Sequence, residues 1–205
     1  MVMSEAEKKL TAYHEAGHAV VSFNLLNTDP VQKVTIIPRG RAGGYVMSLP
    51  EDRMAYSREQ FEDKIAFAFG GRAAEEIFFG RITTGAASDL QQATRIARDM
   101  IMQYGMSQSL GLRTFGQQQG SIFLGRDMGY GRDYGEEAAT LIDEEVNRIL
   151  DENYLRAKTI IEEHKDQLIE LAQTLMRVET LDRRDFEEVM NRKETESEPL
   201  PESVG

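Results

Sequence analysis

The chain of 205 residues contains no cysteine, which excludes disulfide bonds, thiolate zinc sites, iron–sulfur clusters and a cysteine nucleophile. Long apolar runs are also missing. The longest covers residues 65–69, whereas a membrane span needs roughly twenty apolar residues. The first nine residues carry no apolar signal-peptide core. Basic residues are outnumbered by acidic ones, 24 against 35, and the net charge of −11 argues against a nucleic-acid binder.

Histidine is rare as well, but two of the 3 histidines form an H-E-x-x-H motif that runs from His14 to His18. Apolar residues at spacings of three and four predict that this segment is a helix. Residues i and i+4 of a helix lie on one face, about 6 Å apart, so both imidazoles can reach one metal ion. Glu15 lies one step round the helix, where it can take a proton from an attacking water without ligating the metal. The motif therefore predicts a zinc endopeptidase.

A catalytic zinc site needs a third protein ligand, and the motif lacks the third histidine of a metzincin. His164 is expected in the last turn of a long helix. A favourable interaction with the helix C-terminus explains a histidine there, so it is a poor candidate for the third ligand. Glu75 and Glu76 lie at a downstream distance that glutamate-ligated zincins use. Asp89 lies just inside the start of a helix that Ser88 is predicted to cap, where the helix dipole favours an ionised ligand. Spacing alone does not choose among these carboxylates.

The remaining pattern predicts a small hairpin and several helices. β-branched, partly alternating residues over 31–37 and 45–49 predict two strands joined by a glycine-rich turn. Gly70 and Gly71 are expected to interrupt the second helix, and Thr180 is a candidate N-cap of the last one. The predicted helices cover residues 10–25, 57–69, 72–79, 88–104, 136–164, 166–178 and 181–190.

These elements predict a mostly helical α+β fold, in which a zincin-like motif helix and a small β-sheet are followed by a helical C-terminal subdomain. The predicted divisions are a metalloprotease core with a glycine-rich loop over 1–135, the helical subdomain over 136–192 and a disordered acidic tail over 193–205. Tyr45, Val46 and Met47 are candidates for an edge strand that binds an extended substrate. The alternative is that this segment is only a core strand.

Five segments, in this order, resemble the proteolytic domain of the FtsH family of membrane-tethered AAA+ zinc metalloproteases: Thr11–Val20, Val34–Gly40, Gly70–Ile77, Thr84–Leu90 and Phe123–Arg126. The resemblance covers residues 5–191. It implies that His14, His18 and Asp89 ligate Zn²⁺ and that Glu15 is the general base. Glu75 and the glutamate that follows it then fall outside the ligand set, as candidates for supporting a ligand or for helix packing.

The resemblance also implies features beyond this chain. Family members carry membrane spans and an AAA+ ATPase module before the protease, assemble as homo-hexamers, and act on unfolded or membrane-protein polypeptides at the cytoplasmic face of the bacterial inner membrane. This sequence contains no G-x-x-x-x-G-K-[ST] phosphate-binding loop. We therefore expect a soluble protease part that is separate from its ATPase. Two alternatives are a self-standing zincin with a glutamate ligand and a non-catalytic helical assembly module.

Overall fold

The computed structural model describes residues 2–40, 43–116 and 132–192 and confirms a mostly helical α+β fold. Part of the predicted glycine-rich loop, including Phe123–Arg126, and the predicted tail lie outside the described residues. None of the described helices combines the length and the apolar character required to cross a bilayer. In chain order the elements are α1 (Glu5–Phe23), β1 (Val31–Thr35), β2 (Tyr45–Ser48), α2 (Arg58–Phe79), a 3-10 turn (Thr84–Ala86), α3 (Ala87–Met102), α4 (Glu136–Glu163), α5 (Lys165–Val178), β3 (Thr180–Asp182) and α6 (Arg183–Asn191).

Helix α2 is continuous, so the predicted interruption at its glycine pair is wrong. The reason is the close crossing of α1 and α2. A Cβ atom on Gly17 would lie 2.3 Å from the carbonyl oxygen of Gly70, and a Cβ on Gly70 would lie 2.6 Å from the carbonyl oxygen of Gly17. Contacts this short exclude any side chain at either position, so these glycines permit helix packing and do not end the helix.

Helix α3 begins differently from the prediction. Its N-cap position is Ala86, which makes no side-chain capping bond, so the predicted Ser88 cap is wrong. The capping bond is instead at the start of the preceding 3-10 turn, where the hydroxyl of Thr83 accepts a hydrogen bond from the N–H of Gly85 at 3.1 Å. The 3-10 turn continues directly into α3, and Asp89 falls in the first turn of the helix.

The sheet has three antiparallel strands in the order β2-β1-β3, and β3 was not predicted. Thr180 belongs to this strand, and the N-cap of α6 is Asp182, whose side chain accepts from the N–H of Asp185 at 2.9 Å. Buried side chains of α1, α2, α4 and α5 belong to one contiguous core. The division at residue 136 stays a prediction; β3 lies beyond it and pairs with β1.

Strand β2 forms an edge of the sheet among the described residues. The N–H of Leu49, just after β2, donates to the carbonyl oxygen of Pro30, just before β1, at 3.1 Å. The β1–β2 pairing is irregular between Val31 and Lys33, but it is regular from Lys33 to Thr35. The N–H of Ile36 donates to Glu179 on the β3 side, so by alternation Lys33 directs its backbone groups towards β2, and its partner Met47 directs its N–H and C=O towards β1. Val46 consequently directs its N–H and C=O away from the sheet, at the free edge.

Candidate metal centre

The three candidate functional residues of the H-E-x-x-H motif lie on helix α1 and are all buried. His14, Glu15 and His18 are 8%, 6% and 6% exposed. The Nε2 atoms of the two histidines lie 3.1 Å apart. Oδ2 of Asp89, on α3, lies 3.2 Å from Nε2 of His14 and 3.3 Å from Nε2 of His18. The structure thus brings together the three residues that the family resemblance implied as ligands.

The spacing of these three atoms fits a tetrahedral metal site. Zinc binds histidine nitrogen and carboxylate oxygen at about 2.0–2.2 Å, so two ligands of a tetrahedral ion are about 3.3–3.5 Å apart. The observed triangle, with sides of 3.1, 3.2 and 3.3 Å, is slightly tighter than this separation. Two imidazoles and one carboxylate leave a fourth position open, as catalytic zinc sites do.

The other ring nitrogen of each histidine is held by a hydrogen bond. Nδ1 of His18 lies 2.8 Å from the carbonyl oxygen of Phe67 on α2, which can only accept. Nδ1 of His14 lies 3.0 Å from Oε1 of Glu75, also on α2. Because Nδ1 carries a hydrogen in both contacts, Nε2 is the nitrogen of each ring that can bind a metal, once that ring is neutral.

The two glutamates left open by spacing have different surroundings. Glu75 is 1% exposed and accepts three hydrogen bonds: one from His14, and one each from the N–H (2.9 Å) and the hydroxyl (3.0 Å) of Thr83. Glu76 accepts instead from the hydroxyl of Tyr154 and from Nζ of Lys158 on α4. Glu75 therefore lies behind a ligand ring, and Glu76 ties α2 to α4.

Burial and hydrogen bonding shift the pKa values of this centre in opposite directions. Burial alone would lower the pKa of His14, but hydrogen bonds to Asp89 and Glu75 outweigh it and raise the pKa to about 10. Burial would raise the pKa of Asp89, but hydrogen bonds from the two histidines hold it well below its usual range. For Glu15 burial prevails over the two histidine charges and raises its pKa. A carboxylate with a raised pKa is a better proton acceptor.

Two glycines make room for these side chains, and the sequence pattern did not reveal that role. A Cβ atom on Gly71 would lie 2.3 Å from Nε2 of His14, so α2 can approach this ring only where a side chain is missing. A Cβ on Gly44 would lie 2.6 Å from the carbonyl oxygen of Thr35 and 2.9 Å from Cγ of Glu15. The turn before β2 therefore packs directly on Glu15.

The centre lies in a cleft of about 610 Å³. Its walls include both histidines of the motif, Glu15 and Asp89. Of the three predicted substrate-binding residues, Tyr45 and Val46 line the cleft and Met47 does not. The side of the cleft next to Glu15 is thus formed by the start of the edge strand β2.

Comparison with known proteins gives the family of this chain. The model of Peptidase family M41 matches residues 1–189. The chain belongs to peptidase family M41. This membership agrees with the predicted resemblance to the FtsH family, and the M41 match includes the motif helix and Asp89.

Named relatives support the M41 assignment. The chain is 50% identical over 196 residues to "ATP-dependent zinc metalloprotease FtsH 1" of Thermoanaerobacter sp. (strain X514), covering 95% of this chain and 32% of the relative. It is 53% identical over 182 residues to the protein named "ATP-dependent zinc metalloprotease FtsH" in Magnetococcus marinus, with coverages of 88% and 27%. For the protein of the same name in Bacillus subtilis the identity is 50% over 183 residues, with coverages of 88% and 29%. The chain thus spans about a third or less of these relatives' length.

Proposed function

We propose that this chain is a zinc-dependent endopeptidase in which His14, His18 and Asp89 hold Zn²⁺ and Glu15 is the general base. The observation that carries the proposal is the triangle of ligand atoms with sides of 3.1–3.3 Å in the wall of a cleft. Membership of family M41 and the names of the relatives, which include "zinc metalloprotease", support the choice of metal and reaction.

The residues of the chain divide the work of peptide hydrolysis. When bound, zinc lowers the pKa of water and polarises the substrate carbonyl. The buried carboxylate of Glu15 accepts the proton of the attacking water and passes it to the leaving amine. The hydrogen bonds on Nδ1 of His14 and His18 keep both rings oriented towards the cleft.

The edge strand β2 is the proposed binding site for an extended substrate. Tyr45 and Val46 line the cleft, and the backbone N–H and C=O of Val46 face the free edge of the sheet. A polypeptide added at this edge gains main-chain hydrogen bonds that do not depend on its sequence. Met47, the third candidate, supports the same strand through its backbone groups, which are directed at β1.

The relatives are named "ATP-dependent" and are about three times as long as this chain. We infer that the chain works as the protease part of a larger membrane-tethered protein with an AAA+ ATPase module. By the family resemblance, that protein forms a homo-hexamer at the cytoplasmic face of the bacterial inner membrane. Its substrates are unfolded or membrane-protein polypeptides. This sequence contains no G-x-x-x-x-G-K-[ST] phosphate-binding loop, so cleavage of an unfolded protein by this chain should not respond to ATP.

The decisive experiment combines zinc stoichiometry with cleavage of an unfolded protein. Glu15→Gln keeps the shape of the side chain but cannot accept a proton, so cleavage should fall by about 10²–10⁴-fold or more while zinc stays bound. Glu144→Gln, at an exposed position of α4, is the matched control and should cleave like the parent. A parent chain that binds zinc but cleaves nothing would favour the non-catalytic assembly module. Unchanged cleavage by Glu15→Gln would remove this residue from the mechanism.

A further inference from the structure

The hydroxyl of Thr83 bonds to a neighbour of each half of the metal centre: to Glu75, behind His14, and to the turn that precedes Asp89. It donates to Oε1 of Glu75 at 3.0 Å, and the same oxygen accepts from Nδ1 of His14. It also accepts from the N–H of Gly85 at 3.1 Å, within the 3-10 turn that leads into α3 and Asp89. One side-chain oxygen thus bonds both to the glutamate behind the α1 ligand His14 and to the turn that leads to the α3 ligand Asp89.

The backbone of Thr83 strengthens the first of these connections. Its N–H donates to Oε2 of Glu75 at 2.9 Å, so Thr83 holds both oxygens of the carboxylate. Glu75 is almost fully buried, and its Oε1 accepts from the ring of His14 as well as from the hydroxyl of Thr83. A buried carboxylate with these donors has one preferred orientation, and that orientation fixes the ring of His14.

We propose that Thr83 is a positioning residue that couples the placement of Asp89 to the orientation of His14. The inference rests on the proposed zinc site and deepens it. Without the hydroxyl, Glu75 loses one donor and the N–H of Gly85 loses its acceptor, so the ligands on α1 and α3 are no longer held by a common group. Partners behind metal ligands typically contribute 10–100-fold to metal affinity.

A simple turn cap would behave differently. Losing only the bond to Gly85 would lower the stability of the turn, whether or not metal is present. Losing the bond to Glu75 disturbs the ring of His14 and therefore weakens metal binding itself. Zinc affinity separates the two roles, because a cap alone would lower the melting temperature of the metal-free chain and leave the affinity unchanged.

The test measures zinc dissociation constants by chelator competition for Thr83→Val, Thr83→Ala and Thr83→Ser. The visible spectrum of the Co²⁺-substituted chain gives a second readout of ligand geometry. Val and Ala should weaken zinc binding by about ten-fold or more and alter the spectrum, whereas Ser keeps the hydroxyl and should stay within about three-fold of the parent. Thr140→Val is the matched control, since its hydroxyl bonds to the carbonyl oxygen of Glu136 on α4 at 3.1 Å, away from the centre.

Three results would overturn the inference. The first is zinc affinity within about two-fold of the parent for both Val and Ala, with or without a lower melting temperature. The second is failure of Ser to restore binding, and the third is an equal loss in Thr140→Val. A parent chain that binds no zinc would instead overturn the proposed function. The Ala variant adds no bulk, so a folding defect of the Val variant leaves the test intact.

Discussion

The Nδ1 nitrogen of His14 lies 3.0 Å from Oε1 of Glu75, so this glutamate contacts the back of a candidate ligand ring and not the metal position. Burial would raise the pKa of Glu75, but hydrogen bonds from His14 and Thr83 outweigh it and lower the pKa, which keeps the carboxylate ionised. An ionised acceptor on Nδ1 makes the opposite nitrogen a stronger donor to a metal. The contact therefore supports a metal centre without adding a ligand.

Three substitutions separate the roles of the acidic residues. Asp89→Asn should abolish or greatly weaken zinc binding, because a neutral amide replaces a charged ligand. Glu75→Gln should retain zinc with affinity lowered by about 10–100-fold, since only the support of His14 changes. Glu76→Gln is the control and should bind zinc like the parent, because Glu76 contacts Tyr154 on α4. Metal content after dialysis and chelator competition give the three values.

The opposite pattern would change the ligand set. If Glu75→Gln or Glu76→Gln removed the metal while Asp89→Asn kept it, the self-standing zincin with a glutamate ligand would be the correct description. The same measurement applied to His14→Ala and His18→Ala checks the two remaining ligands, each of which should be required for tight binding.

The sequence predicts the candidate site only where its chemistry is local. His14, Glu15 and His18 lie within little more than one helical turn, so their spacing alone places them on one face. Glu75 and Asp89 lie 61 and 75 residues after His14. Their distances from the motif depend on how α2 and α3 pack on α1, and spacing left both as alternatives. The family resemblance, not the pattern, selected Asp89.

The fold shows the same limit. Apolar periodicity predicts the helices α1, α2, α4 and α5. Gly70 and Gly71 indicate an interruption of α2, but the structure keeps this helix continuous because Gly70 packs against α1. The three residues of β3, Thr180–Asp182, are too few for an alternating pattern and coincide with capping residues of α6. Their pairing with β1 arises only after the chain has folded back across some 150 residues, which no local signal reports.

Gly71→Ala should weaken zinc binding by at least about ten-fold without weakening α2. Alanine is more favourable than glycine inside a helix by about 1 kcal/mol, so the substitution should not destabilise α2. The new Cβ atom would lie 2.3 Å from Nε2 of His14 and would force this ring to move. Gly43→Ala is the control, since its Cβ would meet Thr11 at an ordinary 3.5 Å. Equal zinc affinity in both variants would show that the ring can adapt.

Zinc binding should release a proton from His14. In the metal-free chain, hydrogen bonds to Asp89 and Glu75 raise its pKa to about 10, so the ring is protonated at neutral pH. Zinc requires the neutral ring, so apparent affinity should rise about ten-fold per pH unit until the pH approaches that pKa. Calorimetry in two buffers of different ionisation heat counts the protons released. A count of zero at neutral pH would contradict the raised pKa.

The same pKa shift has a consequence for the stability of the metal-free chain. Because the folded pKa of His14 lies above the ordinary value of about 6.5, its stabilising effect is complete below that value. The effect is lost as the pH rises through about 10. Urea unfolding of the metal-free chain should therefore show a falling free energy of unfolding between these limits. The zinc-loaded chain should not lose this contribution, because its ring carries no such proton.

Val46→Pro should weaken cleavage more than folding, and Met47→Pro should do the reverse. Proline removes a backbone N–H. At Val46 this N–H faces the free edge of the sheet, where the proposed substrate binds, while at Met47 it faces β1. One lost hydrogen bond contributes about 0.5–1.5 kcal/mol, which corresponds to a fall of roughly two- to ten-fold in kcat/KM for Val46→Pro. For Met47→Pro the same loss should appear as a melting temperature lower by about 2–4 °C per kcal/mol.

The control for the edge-strand prediction is Val46→Ala, which shortens the side chain but keeps the N–H. If the backbone donor binds substrate, Val46→Ala should lose much less kcat/KM than Val46→Pro at equal zinc content. Equal losses in both variants would assign the effect to the side chain of Val46, which packs against the core. If Val46→Pro stays folded, binds zinc and cleaves normally, then β2 is not the substrate edge. The other free edge of the described sheet, at β3, would then be the strand to test.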